Sequence, residues 1–333
     1  MDFAFLDAQS YARKSSRGNG TGGAPSLSPT ETLARLAQIL LPGIRKDGYT
    51  AQEQVKPSAR VALLPALVLV TGCGGGAALL HPAHVLPMGE VSTGVGASKS
   101  FTLGEADDAI GLTSAASVQR TGVQTSNAQQ SFTRGAIAEV LTAPGLAPWV
   151  GARVGLGFTS DAGLTYTARS VRIDGRHAWQ ESHFALSAGG GASLVLGHPG
   201  SRGAESGVIA GMDASGVSGW GLDIPVLVGW RSDAQVIQVW VGPRAGVEHD
   251  RGHLVLSVDP DPTREEQVPL DAWRWYGGGV IGLAGGAPPV WVGVELDVYF
   301  QTMKGRLNFA GTEERASLDG ITLAPTGALL VRF

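Results

Sequence analysis

The sequence predicts an all-β protein: an antiparallel, up-and-down transmembrane β-barrel of about 10 strands, preceded by a disordered or short-helical leader and a signal segment. Three observations predict it. Apolar residues alternate with small or polar ones through most of residues 90–333. The alternating segments are about 11–17 residues long, where soluble strands run about 5–6 and tilted membrane strands need about 9–11. The connections between them sort by length, short on one side and mostly long on the other.

Composition sets the limits. Gly supplies 49 of 333 residues and charged side chains only 16%. A disordered chain carries more charge and fewer apolar residues. Net charge is −4 with a pI near 6.0, so the basic excess of a nucleic-acid partner is missing. A single short apolar run excludes a polytopic helical membrane protein. One cysteine excludes a disulfide scaffold.

Residues 1–55 differ from the rest. Residues 10–30 are rich in Ser, Gly, Thr and Pro, the composition of a disordered leader. Residues 31–42 predict one short amphipathic helix N-capped by Thr30. A start codon further in would make this leader a misassigned one. Residues 56–72 have the form of a signal peptide. Lys56 and Arg60 precede an apolar core, Val61–Val70, that is too short to span a bilayer and stops at small residues. Val70-Thr71-Gly72-Cys73 resembles a bacterial lipobox, which implies cleavage before Cys73 and lipidation there. The alternative is a buried strand ending at a cysteine. Residues 73–89, beginning with Gly74–Gly76, read as a periplasmic tether.

The expected strands are 90–102, 131–141, 148–158, 163–179, 183–197, 218–231, 235–249, 271–284, 290–303 and 320–333. Val292, Val294, Leu296, Val298 and Phe300 share one face, with Glu295 and Asp297 behind them. Trp220, Leu222, Ile224, Val226, Val228 and Trp230 do the same. A parity slip predicts a bulge near Arg169 and Ser170. Connections 103–130, 159–162, 198–217, 250–270 and 304–319 fall on one side. The short ones, 142–147, 180–182, 232–234 and 285–289, fall on the other. Trp149, Trp179, Trp230, Trp291 and Phe333 are expected at the short-turn end, and Trp220, Trp273, Trp275, Phe158 and Phe300 at the other.

The last residues place Leu329 and Val331 four and two positions before a terminal Phe333. That pattern resembles the β-signal read by the outer-membrane assembly machinery. With the signal and the strands, residues 90–333 resemble a small bacterial outer-membrane β-barrel behind a lipoprotein-type signal. The resemblance implies a bacterial outer-membrane location, outer-membrane lipid and the barrel assembly machinery as partners, and long external loops open to an extracellular ligand. Most such barrels carry an ordinary cleaved signal, so the lipobox is a departure.

No enzyme, cofactor or metal is expected. GxSxG, HExxH, a Walker loop and paired-cysteine spacing are all absent. The Gly-rich stretch 207–219 reads as loop. Asp174, His177 and His183 are near in sequence and read as strand-end residues, not an acid–base set. His81 and His84 flank Pro82 at a spacing that chance commonly gives. The chemistry lies on the inward face: Arg153, Arg169, Arg172, Arg176, Arg231, Arg244, Arg274 and Arg332 against Asp174, Asp223, Glu248, Glu295 and Asp297. Buried charges need partners, and the guanidinium fork suits carboxylates. Arg244 and Arg274 are the leading partners for Glu295 or Asp297. The expected function is a structural or surface-binding barrel whose lumen is plugged by paired charges. A narrow anion-preferring pore, a membrane enzyme and a periplasmic β-sandwich lipoprotein are the alternatives.

Overall fold

A computed structural model describes residues 79–80, 82–118, 126–167, 169–197, 209, 211–257, 265–309 and 311–333. The leader, the signal segment, Cys73 and His81 lie outside the described residues.

Ten strands form a closed antiparallel ring in which each pairs with its sequence neighbour and β1 closes on β10. They are β1 (Val91–Leu103), β2 (Gly145–Gly157), β3 (Ser160–Thr167), β4 (Ser170–Gln180), β5 (Phe184–Val195), β6 (Met212–Arg231), β7 (Ile237–Ser257), β8 (Glu265–Ala287), β9 (Val290–Phe309) and β10 (Thr312–Arg332). Two helices, α1 (Glu105–Val118) and α2 (Ser126–Thr142), connect β1 to β2. The end holding Val91 and Phe333 is called lower here. The helices stand at the upper end.

The strand count agrees with the expectation, but two assignments behind it do not. Residues 131–141 form α2, not a strand. Ala136, Ala138, Glu139 and Leu141 are good helix formers, and Pro144 stops the helix. The alternation AIAEV mimicked a strand because residues 135–142 are buried on every side, which leaves no polar stripe to reveal the helical period. Residues 163–179 are not one bulged strand. The chain reverses at Arg169, where Thr167 Oγ1 accepts the backbone N–H of Arg169 at 3.2 Å and of Ser170 at 2.9 Å. The first correction turns β2 and β3 over, and the second restores the expected sense from β4 onward. Turn 158–159 belongs to the lower end, where Gly155 N–H donates to the Glu90 carbonyl at 3.0 Å. Phe158 therefore sits at the lower end, exposed, and the β2–β3 turn lies at the end of the short connections, not with the long ones. Trp149 lies within β2 and faces the lumen.

The wall is uneven. β1–β5 run 8–13 residues, and β6–β10 run 20–23. Much of the expected connections 250–270 and 304–319 is strand, with β9 running to Phe309 and β10 starting at Thr312. Along each tall strand the apolar face changes sides. On β9 the outward residues are Val292, Val294, Leu296, Val298 and Phe300, then Thr302, Lys304, Arg306 and Asn308. Its inward residues run from Glu295 and Asp297 to Met303, Leu307 and Phe309. The outward switch falls between Ser218 and Trp220 on β6, Asp271 and Trp273 on β8, and Asp319 and Ile321 on β10. Above it, α1 and α2 pack Ala109, Ile110, Phe132, Ile137 and Leu141 against Met212, Leu254, Leu270, Met303, Leu307 and Leu318. Gly135 lets the helices touch, since a Cβ there would strike Thr113 and the Ala109 carbonyl. Below the switch the outward belt is apolar around the ring. Lys99 is an exception, and its ammonium lies 4.7 Å over the Phe101 ring toward the upper end.

Of the segment assigned to a periplasmic tether, residues 79–80 and 82–86 are part of the barrel interior. They meet opposite walls at once: Glu295 of β9, Arg176 of β4, Asp161 of β3 and Gly229 of β6. Leu79, Leu80 and Ala83 are buried with Trp149, Leu227, Trp240, Trp291 and Leu330.

Candidate functional site: the charged lumen

Strand alternation puts every second residue into the lumen. The inward positions at mid-height carry charges that form a chain of alternating sign. Arg176 of β4 holds Asp161 of β3 through Nε at 2.8 Å and Nη2 at 2.9 Å. Arg153 of β2 donates to both Asp161 and Asp174. Arg172 links Asp174 at 2.6 Å to Asp223 of β6 at 2.9 Å. Arg244 of β7 reaches Asp223 at 3.0 Å and stands 3.9 Å from Asp297 of β9. The Tyr299 hydroxyl accepts from Arg244 at 2.9 Å and donates to Asp297. A second cluster joins Arg169 to Glu248 at 2.6 Å and Asp250 at 2.7 Å, with Arg274 on Glu248 at 2.5 Å.

Each carboxylate in the chain is shared, as a narrow lumen of low polarity requires. Shared partners fix every side chain, so the network braces strands that are far apart in the ring. Glu295 behaves differently. No arginine ion-pairs with it among the described residues. It accepts the backbone N–H of Leu79 at 2.8 Å and of Leu80 at 3.0 Å, and the Trp240 indole N–H at 2.8 Å. Its work is to hold the inserted segment. Arg176 does likewise, donating to the carbonyls of Pro82 and His84, and Asp161 accepts the Leu86 N–H at 3.2 Å.

A cavity of about 70 Å³ lies at the network's centre, lined by Arg169, Arg172, Arg244, Arg274, Asp223, Glu248, Asp297, Tyr276 and Tyr299. Asp297 Oδ2, Arg169 Nε and Arg274 Nε face no hydrogen-bond partner among the described residues. Such groups are met by ordered water where the space is polar and large enough.

The other residues singled out from sequence are dispersed. Arg332 Nη2 donates to Gln238 at 3.3 Å, and its guanidinium lies 4.7 Å over the Trp291 ring. Arg231 is at the lower rim, bonded to the Ser182 carbonyl at 2.8 Å. Leu329 points outward on β10, and Phe333 is exposed at the lower rim. Asp174 faces in while His177 faces out, edge-on to Trp179 at 5.0 Å. His183 lies 3.3 Å from Asp233 at a turn. The three therefore form no common site. Among the described residues no group of His, Cys, Asp and Glu has metal-binding geometry. Sequence reasoning missed Asp161, Asp250 and the 79–86 segment. Carrying the parity of Arg153 and Glu248 past the expected strand ends was the signal available for both acids.

No protein-family model matches the chain, and no curated protein does. Among solved structures it is similar to Neisserial surface protein A, at 9% identity over 73% of this chain and 96% of that one, with a TM-score of 0.24. It is similar to the CymD monoaromatic hydrocarbon channel at 10% identity, covering 80% and 95%, with a TM-score of 0.30. A third, outer-membrane expressed OmpT of Vibrio cholerae, gives 8% identity over 75% and 99%, with a TM-score of 0.12. Likenesses this slight carry no argument about function. The barrel rests on its own closed ring of strands.

Proposed function

We propose that this chain is an integral outer-membrane barrel with a sealed lumen, whose role is structural or is surface binding at its external crown. The observation that carries the reading is the filling of the lumen over its full height. Segment 79–86 occupies the lower end, the arginine–carboxylate chain the middle, and α2 the upper end. The apolar belt supports a lipid exterior. Trp179, Trp230 and Phe333 at its lower edge and Trp220, Trp273 and Trp275 at its upper edge match the two aromatic girdles of membrane barrels. In this reading the lower end faces the periplasm, the 56–72 signal exports the chain, and Leu329, Val331 and Phe333 serve assembly. The outward face of the crown of β6–β10 is the surface left for a partner.

Planar-bilayer recording of the refolded full chain tests this. The expected result is no steady conductance, with migration in SDS that shifts on boiling. Stable single-channel steps with anion preference would replace the sealed barrel by a narrow anion-preferring pore. The four arginines around the central cavity favour that second reading.

A further inference from the structure

A second cavity, of about 50 Å³, lies low in the lumen between segment 79–86 and the wall. Its charge differs from that of the central one. Arg153, Arg176 and Arg332 line it with His84, Trp149 and Thr165, and no carboxylate does among the described residues. Arg153 and Arg176 are matched by Asp161 and Asp174, which lie outside the lining. Arg332 has no ion pair among the described residues; it meets the Gln238 amide oxygen at 3.3 Å and the Trp291 ring, and Glu90, outside the lining, acts on it from further off.

Four nitrogens of the lining residues are unmatched. Both ring nitrogens of His84, the indole Nε1 of Trp149 and Nε of Arg332 lack a hydrogen-bond partner among the described residues. His84 is 6% exposed and Trp149 8%. Buried donors left unmade are costly and rare. The indole and the guanidinium can only donate, so whatever sits between them must accept. Water can accept, but it brings no charge to a space with a positive surplus.

We infer that this cavity is a binding site for a small inorganic anion, held by Trp149 and Arg332 on the wall and by His84 on the inserted segment. The anion accepts the indole and guanidinium N–H groups and offsets the arginine surplus. It joins β2 and β10 to the segment, so it latches the lower closure of the lumen. Burial, then the charges of Arg231, Arg176 and Arg332, lower the His84 pKa to about 4 in the empty site. An anion opposes those charges and turns the imidazole into a further donor. The site depends on the barrel and the inserted segment, not on which membrane holds them.

The test uses the full chain in detergent. Crystals grown in bromide are expected to show an anomalous peak about 3.5 Å or less from Trp149 Nε1. Thermal unfolding at constant ionic strength is expected to rise saturably as chloride replaces gluconate. Trp149→Phe, which keeps the ring and removes the N–H, and Arg332→Gln are each expected to abolish that rise. Arg274→Gln, at the central cavity, is expected to keep it. Water alone in the cavity, or equal stability in both salts, overturns the proposal. A peak seen only at molar bromide, without a saturable rise, means an adventitious ion only and overturns it too. If neither site variant folds, the wild-type map and titration decide.

Discussion

The lower and upper halves of β6–β10 are the same strands built to opposite rules. Below the switch, Val292, Val294 and Leu296 face out and Glu295 and Asp297 face in. Above it, Lys304, Arg306 and Asn308 face out and Met303, Leu307 and Phe309 face in. Under the proposed membrane location, the outside medium selects the pattern. An apolar exterior is tolerable in lipid, where the closed hydrogen-bond ladder satisfies every strand. The interior is then free to carry charge, and ion pairs hold it. In that location the crown stands in water, and its apolar interior holds α1 and α2. The halves should therefore fail differently.

The largest contrast is in charge deletion. Asp223→Ala leaves Arg172 and Arg244 buried without their shared carboxylate, an expected loss of about 3–5 kcal/mol in denaturant titration. Glu313→Ala in the crown, between the exposed Arg306 and Arg315, should leave the denaturation midpoint nearly unchanged. Equal losses would deny the lower half its dependence on buried charge.

Removing apolar volume reverses the ranking. Leu307→Ala opens a cavity in the crown core and should cost about 2–5 kcal/mol. Hydrogen exchange should quicken in α2 while the lower strands keep their protection. Uniform quickening would mean that the halves are one cooperative unit.

An outward charge comes next. Val294→Arg puts a guanidinium in the belt and should cost about 2–4 kcal/mol. Ser317→Arg, outward on the upper part of β10, should stay within about 0.5 kcal/mol. Refolding yield into liposomes reads both.

The smallest contrast is in acid response, measured without added anion. The folded pKa of His84 is about 4 against an ordinary 6.5, so its contribution is complete above about 6.5 and is lost as pH falls toward about 4. Glu105 accepts the Asp319 N–H at 3.0 Å and Arg134 at 2.5 Å, which hold its carboxyl below the usual 4.5. Its contribution is lost only as pH falls below about 4.5. His84→Gln should flatten the stability slope in the upper window and Glu105→Gln in the lower one. A slope between 6.5 and 4 that His84→Gln leaves unchanged would falsify the first assignment.

Much of the lower half could be read from parity. The outward belt and most inward charges follow from simple alternation about residues such as Arg153, Asp223 and Glu295. The crown could not be read so directly. Where the apolar face changes sides, between Phe300 and Met303, the pattern looks like a strand that has ended. That hid Asp250 and the upper hairpin of β9 and β10. Asp161 was hidden differently, because it falls in the expected connection 159–162 although its strand begins at Ser160. α2 was hidden by its own burial. Nothing local in Leu79–Leu86 declares an insertion, because its partners, Glu295 and Arg176, lie far along the chain.

The switch itself can be measured. In a Cys73→Ser background, single nitroxide labels at outward positions 292, 296, 300, 304 and 308 of β9, reconstituted in nanodiscs, report oxygen and nickel-chelate collision rates. The expected result is oxygen contact without nickel contact through position 300, and the reverse from position 304 upward. Nickel contact at 292, 296 and 300 would show water around the lower half and contradict a lipid-facing belt.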